Sequence, residues 1–430
     1  MNIRKIFQSK ENRVLGENIF SLGLLNIVNY IFPLLIIPHL TRTLGREKYG
    51  LYAFASVVVG YIALFIRYGF DLSVTKEIAL VRTDHEAVRR IFWRAIGART
   101  VLCLAGSGIL GILVLSISAM REHLLLYASG LPLLVETVLM PTWLFQGMET
   151  MKLIAILNTL MKGCAFFLII VFVKNEADCI WAFFLYNGSF LLGGVVGFGV
   201  AIRRFSLQPI WVPFCEIVQL LLQGWHVFVA CIGTNLYREV NVLILGITSN
   251  YQAVGYFFVA NKLISTVQSF STLPIMQGLF PYMSRKLNES GGGRLFRKIG
   301  FYYSSLMFLA MILCGCLSKL LITWYLGDNF QAVVPVVWIL CPIIWIGSLN
   351  YYGGIVGLVN LGYQKSFARF VWVAGIVSIL CCIPCSYFLG ASGAAIATLT
   401  AECLLLISII QKYRKIAFGW ICDTRIFCRQ

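Results

Sequence analysis

Long apolar runs alternate with short polar links along the whole chain, and the runs have the length of membrane-spanning helices rather than of core elements. The first, residues 18–39, carries no acidic or basic side chain apart from His39, and about 20 such residues cross a bilayer as a helix. Asn26 and Asn29 interrupt it with amides, and Pro33 and Pro38 break its backbone ladder. Those features suit a bending helix with one face toward a wet interior, not a plain anchor. A turn at 41–48 leads to a second run at about 49–71, and 76–94 reads as a polar, basic connection. Further runs lie at about 95–117, 124–145, 153–173, 179–202, 217–247, 253–283, 299–321, 332–361, 367–389 and 393–410. The pattern therefore predicts an all-α polytopic membrane protein with about twelve spans.

Composition narrows the class further. Of 430 residues, 59% are hydrophobic and only 12% charged, with a mean hydropathy of +0.83, outside the range of a soluble domain. The net charge of +17 raises nucleic acid as a partner, but the basic residues are scattered between apolar runs and form no stripe on a soluble domain, so that class is set aside. The positive-inside bias accounts for them better, with some charge left for an anionic substrate. Cys314 and Cys316, and the group Cys381, Cys382 and Cys385, lie in apolar runs without nearby histidines and read as small hydrophobes. No metal and no resident cofactor are expected. The first run is too long and too polar-interrupted for a signal peptide and is expected to stay as a span.

With the N-terminus inside, the cytoplasmic links collect about two dozen Lys and Arg, against about six on the other side. The exception is the first outer turn, with Arg42, Arg46 and Lys48. Both termini are expected in the cytoplasm. A polar link at 203–216, with Arg203, Arg204, Pro209 and Pro213, separates a first bundle (1–202) from a second with a basic tail (217–430). Gly291, Gly292 and Gly293 make a loose joint and not a phosphate cradle, because no P-loop lysine and Ser/Thr follow.

A faint internal repeat ties the bundles together. L-G-R-E-K-Y-G-L-Y-A (44–53) is echoed by L-G-I-T-S-N-Y-Q-A-V-G-Y-F-F-V-A (245–260), and L-F-Q-G-M-E-T-M-K (144–152) by V-N-L-G-Y-Q-K (359–365). Two pseudo-symmetric six-helix halves around a central cavity are the usual build of a transporter.

Charges inside the predicted spans are Arg67, Asp71, Arg99, Glu136, Lys162, Arg238, Glu239, Lys262 and Glu402. Each costs about 2.5–3.5 kcal/mol or more near the bilayer centre without a partner, so they are expected to face the interior. Arg67 and Asp71, four apart, either pair along one helix face or contact substrate or a gate. Arg99 either snorkels from a helix start or lines the interior. Lys162 lies too deep to snorkel easily. Arg238 and Lys262, on adjacent helices at mid-depth, need carboxylates or phosphate as partners. Glu239 and Glu136 either balance them or carry a proton, and Asp71 and Glu402 join them as candidate coupling or charge-balancing groups.

The stretch P-H-L-T-R-T-L-G-R-E-K-Y-G-L-Y (38–52), followed by Y-G-F-D-L-S-V-T-K-E-I-A (68–79), closely resembles the start of the Wzx-type O-antigen flippases. These are polysaccharide transporters of the multidrug/oligosaccharidyl-lipid/polysaccharide exporter superfamily. V-L-I-L-G (242–246) with V-G-Y-F-F-V-A-N-K-L (254–263) resembles their second half. Two positions depart: Asn241 and Val242 stand where the family often has an acidic–basic pair, and His39 where an aromatic is common. The resemblance implies that a polyprenyl-pyrophosphate-linked oligosaccharide is moved from the cytoplasmic to the periplasmic leaflet of the bacterial inner membrane. It further implies alternating access, a coupling proton or sodium ion, and work beside an O-antigen polymerase and a chain-length regulator. Arg238, Lys262, Lys162, Arg67 and Arg99 then become the cationic cavity for the pyrophosphate.

Asn235, Asn241, Gln268 and Gln277 either meet sugar hydroxyls or join helices. The aromatics Trp143, Trp225, Tyr237, Trp338, Trp345, Tyr351 and Tyr352 either stack on sugar rings or anchor at the membrane interface. Three other functions compete. A multidrug cation antiporter would want acidic cavity residues without matching basic ones. A membrane glycosyltransferase or polymerase would want a large loop or a D-x-D pair, and the loops here are short and D-x-D is absent. A flippase for a peptidoglycan precursor usually has 14 helices, more than this chain has room for.

Overall fold

In the computed structural model the main chain is described for residues 10–274, 279–287 and 292–427, and side chains for 28–416 apart from 230, 234–238, 271, 273–278, 281 and 288–291. Among the described residues there are helices and turns and no strands. The chain forms two compact units, Met1–Ile232 and Gly233–Gln430, whose boundary falls inside one helix, Phe214–Thr248.

The first unit begins with α1, Lys10–Arg67. A straight helix of that length would measure roughly 87 Å at 1.5 Å per residue, far more than the ~30 Å of a hydrocarbon core. It is broken instead at Gly45, whose φ of 69° and ψ of −175° no L-residue adopts comfortably. Pro33 and Pro38, expected to interrupt the ladder, lie within the helix. The second break is at Tyr68 and Gly69, with φ of 50° and 74°. Tyr68 is held in this sparsely populated conformation from two sides: its hydroxyl donates to the Leu221 carbonyl at 3.0 Å, and its ring stacks on Phe228 at 4.3 Å. Gly69 leaves no alternative, since a Cβ there would lie 2.8 Å from Val227.

Beyond this break α2 (Phe70–Leu80) starts, so the second predicted run is not one helix through Asp71, and part of the expected basic link is helical. Next comes α3 (His85–Ser116), capped by Asp84, whose Oδ1 accepts from the N–H groups of Glu86 and Ala87. The fourth predicted run is likewise divided. After two single turns it forms α4 (Leu131–Leu139) and α5 (Thr142–Gly147), parted at Met140–Pro141, where proline cannot continue the ladder. Then follow α6 (Met151–Phe172) and α7 (Cys179–Phe205), and α8 (Phe214–Thr248) crosses into the second unit.

That unit holds α9 (Tyr251–Pro274), α10 (Phe280–Lys286), α11 (Gly292–Leu326), α12 (Val333–Leu340), α13 (Pro342–Tyr351), α14 (Gln364–Leu389) and α15 (Ala391–Phe427). Between α13 and α14 the chain widens into a π-helix, Tyr352–Val359. Ten helical stretches among the described residues are long and apolar enough to cross a membrane. The first, Val28–Leu80, spans both of the first two predicted runs. The eighth predicted run falls largely on α9, whose Asn261, Lys262, Gln268 and several hydroxyl residues make it polar, and α9 is not among the ten. The protein is a multi-pass, all-α membrane protein.

The second sequence echo has a structural counterpart. After α5 the N–H groups of Met148, Glu149 and Thr150 bond to the carbonyls of Leu144, Gln146 and Phe145 at 2.9, 3.0 and 2.8 Å. After the π-helix, Leu361, Gly362 and Tyr363 bond to Gly357, Val359 and Leu358 at 3.0, 3.0 and 2.8 Å. Both are helix ends closed by a left-handed residue, Glu149 (φ 56°) in one case and Gly362 (φ 83°) in the other.

Candidate functional site

The two breaks of the first unit create its main polar site. The Tyr68–Gly69 break places Asp71 in the first turn of α2, where the helix dipole favours a carboxylate. The Met140–Pro141 break frees the last carbonyls of α4. Arg99, from α3, joins the two and is only 2% exposed. Its Nη2 donates to Asp71 Oδ1 at 3.0 Å, and its Nη1 to the carbonyls of Thr137 at 2.9 Å and Met140 at 3.3 Å. Thr142, opening α5, donates its hydroxyl to the same Asp71 oxygen at 2.8 Å. The guanidinium lies 5.9 Å from the centroid of the fully buried Trp143 ring, which packs on Phe92 at 5.6 Å.

This geometry sets aside one of the two alternatives for Arg67 and Asp71, the pair along one helix face. The chain turns between them, Arg67 is exposed, and Arg99 takes the carboxylate. Arg99 therefore does not snorkel. Glu136 of α4 is buried close by, against Gly194 of α7, and the charges of Arg67, Arg99 and Asp71 all act on it. Such a set can hold the helices that carry it in one arrangement. Elsewhere in the unit, Lys162 of α6 is 8% exposed and donates to the Asn29 side-chain carbonyl of α1.

The second unit is arranged differently. Lys262 of α9 and Glu239 of α8 form an ion pair at 3.4 Å with both side chains partly exposed, 38% and 42%. The ammonium also lies 5.2 Å from the Phe258 ring centroid. Arg238 lies on α8, but its side chain is outside the described residues, as are those of Asn235, Tyr237 and Gln277. Glu402 of α15 accepts from the Asn350 amide of α13 at 2.6 Å. Asn241, where the acidic–basic pair is missing, is 1% exposed. Its amide nitrogen donates to Ser378 of α14 at 3.0 Å and to Thr398 of α15 at 2.8 Å, so it joins helices and is shut off from sugars.

Two of the candidate sugar platforms are also shut off. Trp143 is fully buried, and Tyr352 is 4% exposed with its hydroxyl on the Phe296 carbonyl at 2.7 Å. Trp225 and Trp338 stay exposed, the latter bonded to Ser318 at 2.7 Å. Thr142 escaped the sequence reading, although the Pro141 just before it was a visible sign of a helix break.

Comparison with known proteins places this geometry in a family. A putative O-antigen transporter of Escherichia coli (strain K12) is 29% identical over 400 residues, 91% of this chain and 94% of the relative. A second, from Shigella dysenteriae, is 27% identical over 92% of this chain and 99% of its own length. Among solved structures, the lipid II flippase MurJ in an inward closed conformation matches with a TM-score of 0.70 at 11% identity, covering 92% of this chain and 87% of MurJ. An inward-facing multidrug resistance MATE family transporter of the MOP superfamily matches at 0.67 and 11%, covering 92% and 98%. These two establish a shared fold. The family model described as polysaccharide biosynthesis protein matches residues 15–287, and the chain belongs to that family.

Proposed function

We propose that this protein is a flippase for a polyprenyl-pyrophosphate-linked oligosaccharide of the O-antigen repeat-unit type. It moves the glycan headgroup from the cytoplasmic to the periplasmic leaflet of the bacterial inner membrane by alternating access, with both termini in the cytoplasm. A proton or sodium gradient drives it, with Glu136 and Asp71 as the carboxylates in reach of that role. The glycan is then available to a polymerase and a chain-length regulator.

The observation that supports this reading over a multidrug antiporter of the same fold is the sign of the buried charge. Fold alone does not separate the two. Among the described residues of the first unit, Asp71 already matches Arg99, and the other buried cation, Lys162, donates to the neutral side-chain carbonyl of Asn29. A site for organic cations needs carboxylates instead, whereas a pyrophosphate drawn out of water needs cations to meet it. Relatives named putative O-antigen transporters over nearly their whole length support the same substrate class.

The test is complementation of a flippase-null bacterium by wild type, Lys162→Met, Arg238→Ala and Lys262→Ala, scoring surface polysaccharide and membrane protein level. Wild type should restore the polysaccharide, and the variants should reach the membrane but fail. Full restoration by all three variants would remove the cationic site. Resistance to cationic drugs, with no polysaccharide in hosts of several types, would remove the function.

A further inference from the structure

At the Gly45 end of the first unit three connections meet: the break in α1, the turns between α3 and α4, and the turn between α6 and α7. They enclose a hollow of about 210 Å³, open on one side. Lys48, Glu122 and Glu176 line it, and none of the three forms an ion pair within 4 Å among the described residues. His123 lines it as well, and burial beside the Lys48 charge holds its imidazole below the usual histidine range, toward the neutral form. The rim is apolar, with Leu124, Leu125 and Ile180 all 40% or more exposed.

The frame around these charges is built, not loose. Asp178 Oδ2 accepts from the N–H groups of Lys174 at 2.9 Å and Asn175 at 3.0 Å, closing the turn that carries Glu176. Glu176 lies against the Gly45 break, where an added Cβ would come within 2.7 Å of its Oε1. His39 Nε2 bonds to the Val173 carbonyl at 2.9 Å, tying α1 to the same turn. The flippase reading leaves this hollow without a role.

We propose that the hollow binds the headgroup of a zwitterionic phospholipid carrying a free ammonium, of the phosphatidylethanolamine class. Lys48 faces the phosphate, Glu122 and Glu176 take the ammonium, and the acyl chains leave over Leu124, Leu125 and Ile180. Charge complementarity selects this occupant. An anionic headgroup would meet two carboxylates for one lysine, and a simple cation would meet the lysine; only a headgroup with both signs satisfies both. The exposed apolar rim is the kind of surface over which acyl chains of the surrounding bilayer can lie.

The full-length protein would be reconstituted in vesicles of equal parts phosphatidylethanolamine and phosphatidylglycerol, extracted, and its retained lipid identified by native mass spectrometry. Wild type should retain phosphatidylethanolamine over phosphatidylglycerol by about two- to fivefold, the scale of one exposed ion pair. Glu122→Gln/Glu176→Gln and, separately, Lys48→Gln should lose that preference. Arg121→Gln, beside the hollow but not lining it, should keep it. These are substitutions of near-equal size, and an unchanged thermal unfolding curve checks that they fold. No enrichment in wild type, preference for phosphatidylglycerol, or enrichment that survives both variants would each overturn the site.

Discussion

The two units handle internal charge in opposite ways. In the first, a guanidinium is sealed in and held through both Nη atoms: Arg99 meets a carboxylate and two carbonyls at once. In the second, the buried polar cluster is neutral, Asn241 with Ser378 and Thr398, and the described ion pair, Lys262–Glu239, stays partly in contact with solvent. The physical reason lies in the breaks. One interrupted helix leaves carbonyls and the other presents a carboxylate, and the planar fork of an arginine suits gathering both better than an ammonium would. Unbroken α8 offers no free carbonyls to Asn241, so hydroxyls and an amide suffice there. Arg99 in the first unit therefore serves position, and Lys262 in the second remains available to a partner.

The sharpest way to break this comparison is Arg99→Ala. It leaves Asp71 and two carbonyls without their donor, and should destabilise the protein by about 3–5 kcal/mol, read as denaturant unfolding in detergent. A loss below about 1 kcal/mol would mean that the Arg99 network is not structural. Asn241→Ala should cost less, about 1–3 kcal/mol, because two neutral hydroxyls lose a partner inside the helix packing. A larger loss than for Arg99→Ala would reverse the ranking of the units. Lys262→Ala should change stability by about 1 kcal/mol or less while reducing polysaccharide export. If it unfolds the protein and spares export in the surviving fraction, Lys262 is a structural group like Arg99.

Much of the fold was legible in the chain. Apolar runs of bilayer length announced the spans, and the second echo, L-F-Q-G-M-E-T-M-K with V-N-L-G-Y-Q-K, marked two helix ends that the structure closes with matching left-handed residues. The breaks inside the spans were harder to read. Hydropathy does not fall at Tyr68–Gly69, and Pro141 alone does not say whether a helix bends or stops, given that Pro33 and Pro38 do neither visibly. Placing Asp71 on the same helix as Arg67 followed from the 3.6-residue period, which fails once two residues take positive φ.

The sequence alone determined the class of the protein, its helical character and its family, and it picked out the ionisable side chains that need partners. Those follow from local chemistry: backbone groups in hydrocarbon must bond within their own helix, and ionisable side chains there need partners. Tertiary structure alone decided the partners. Arg99 finds Asp71 and the Thr137 carbonyl because two broken helices bring residues 28 and 38 positions away to one point. Periodicity along one helix carries no information about such a meeting, since it depends on where separate helices stop and how they pack.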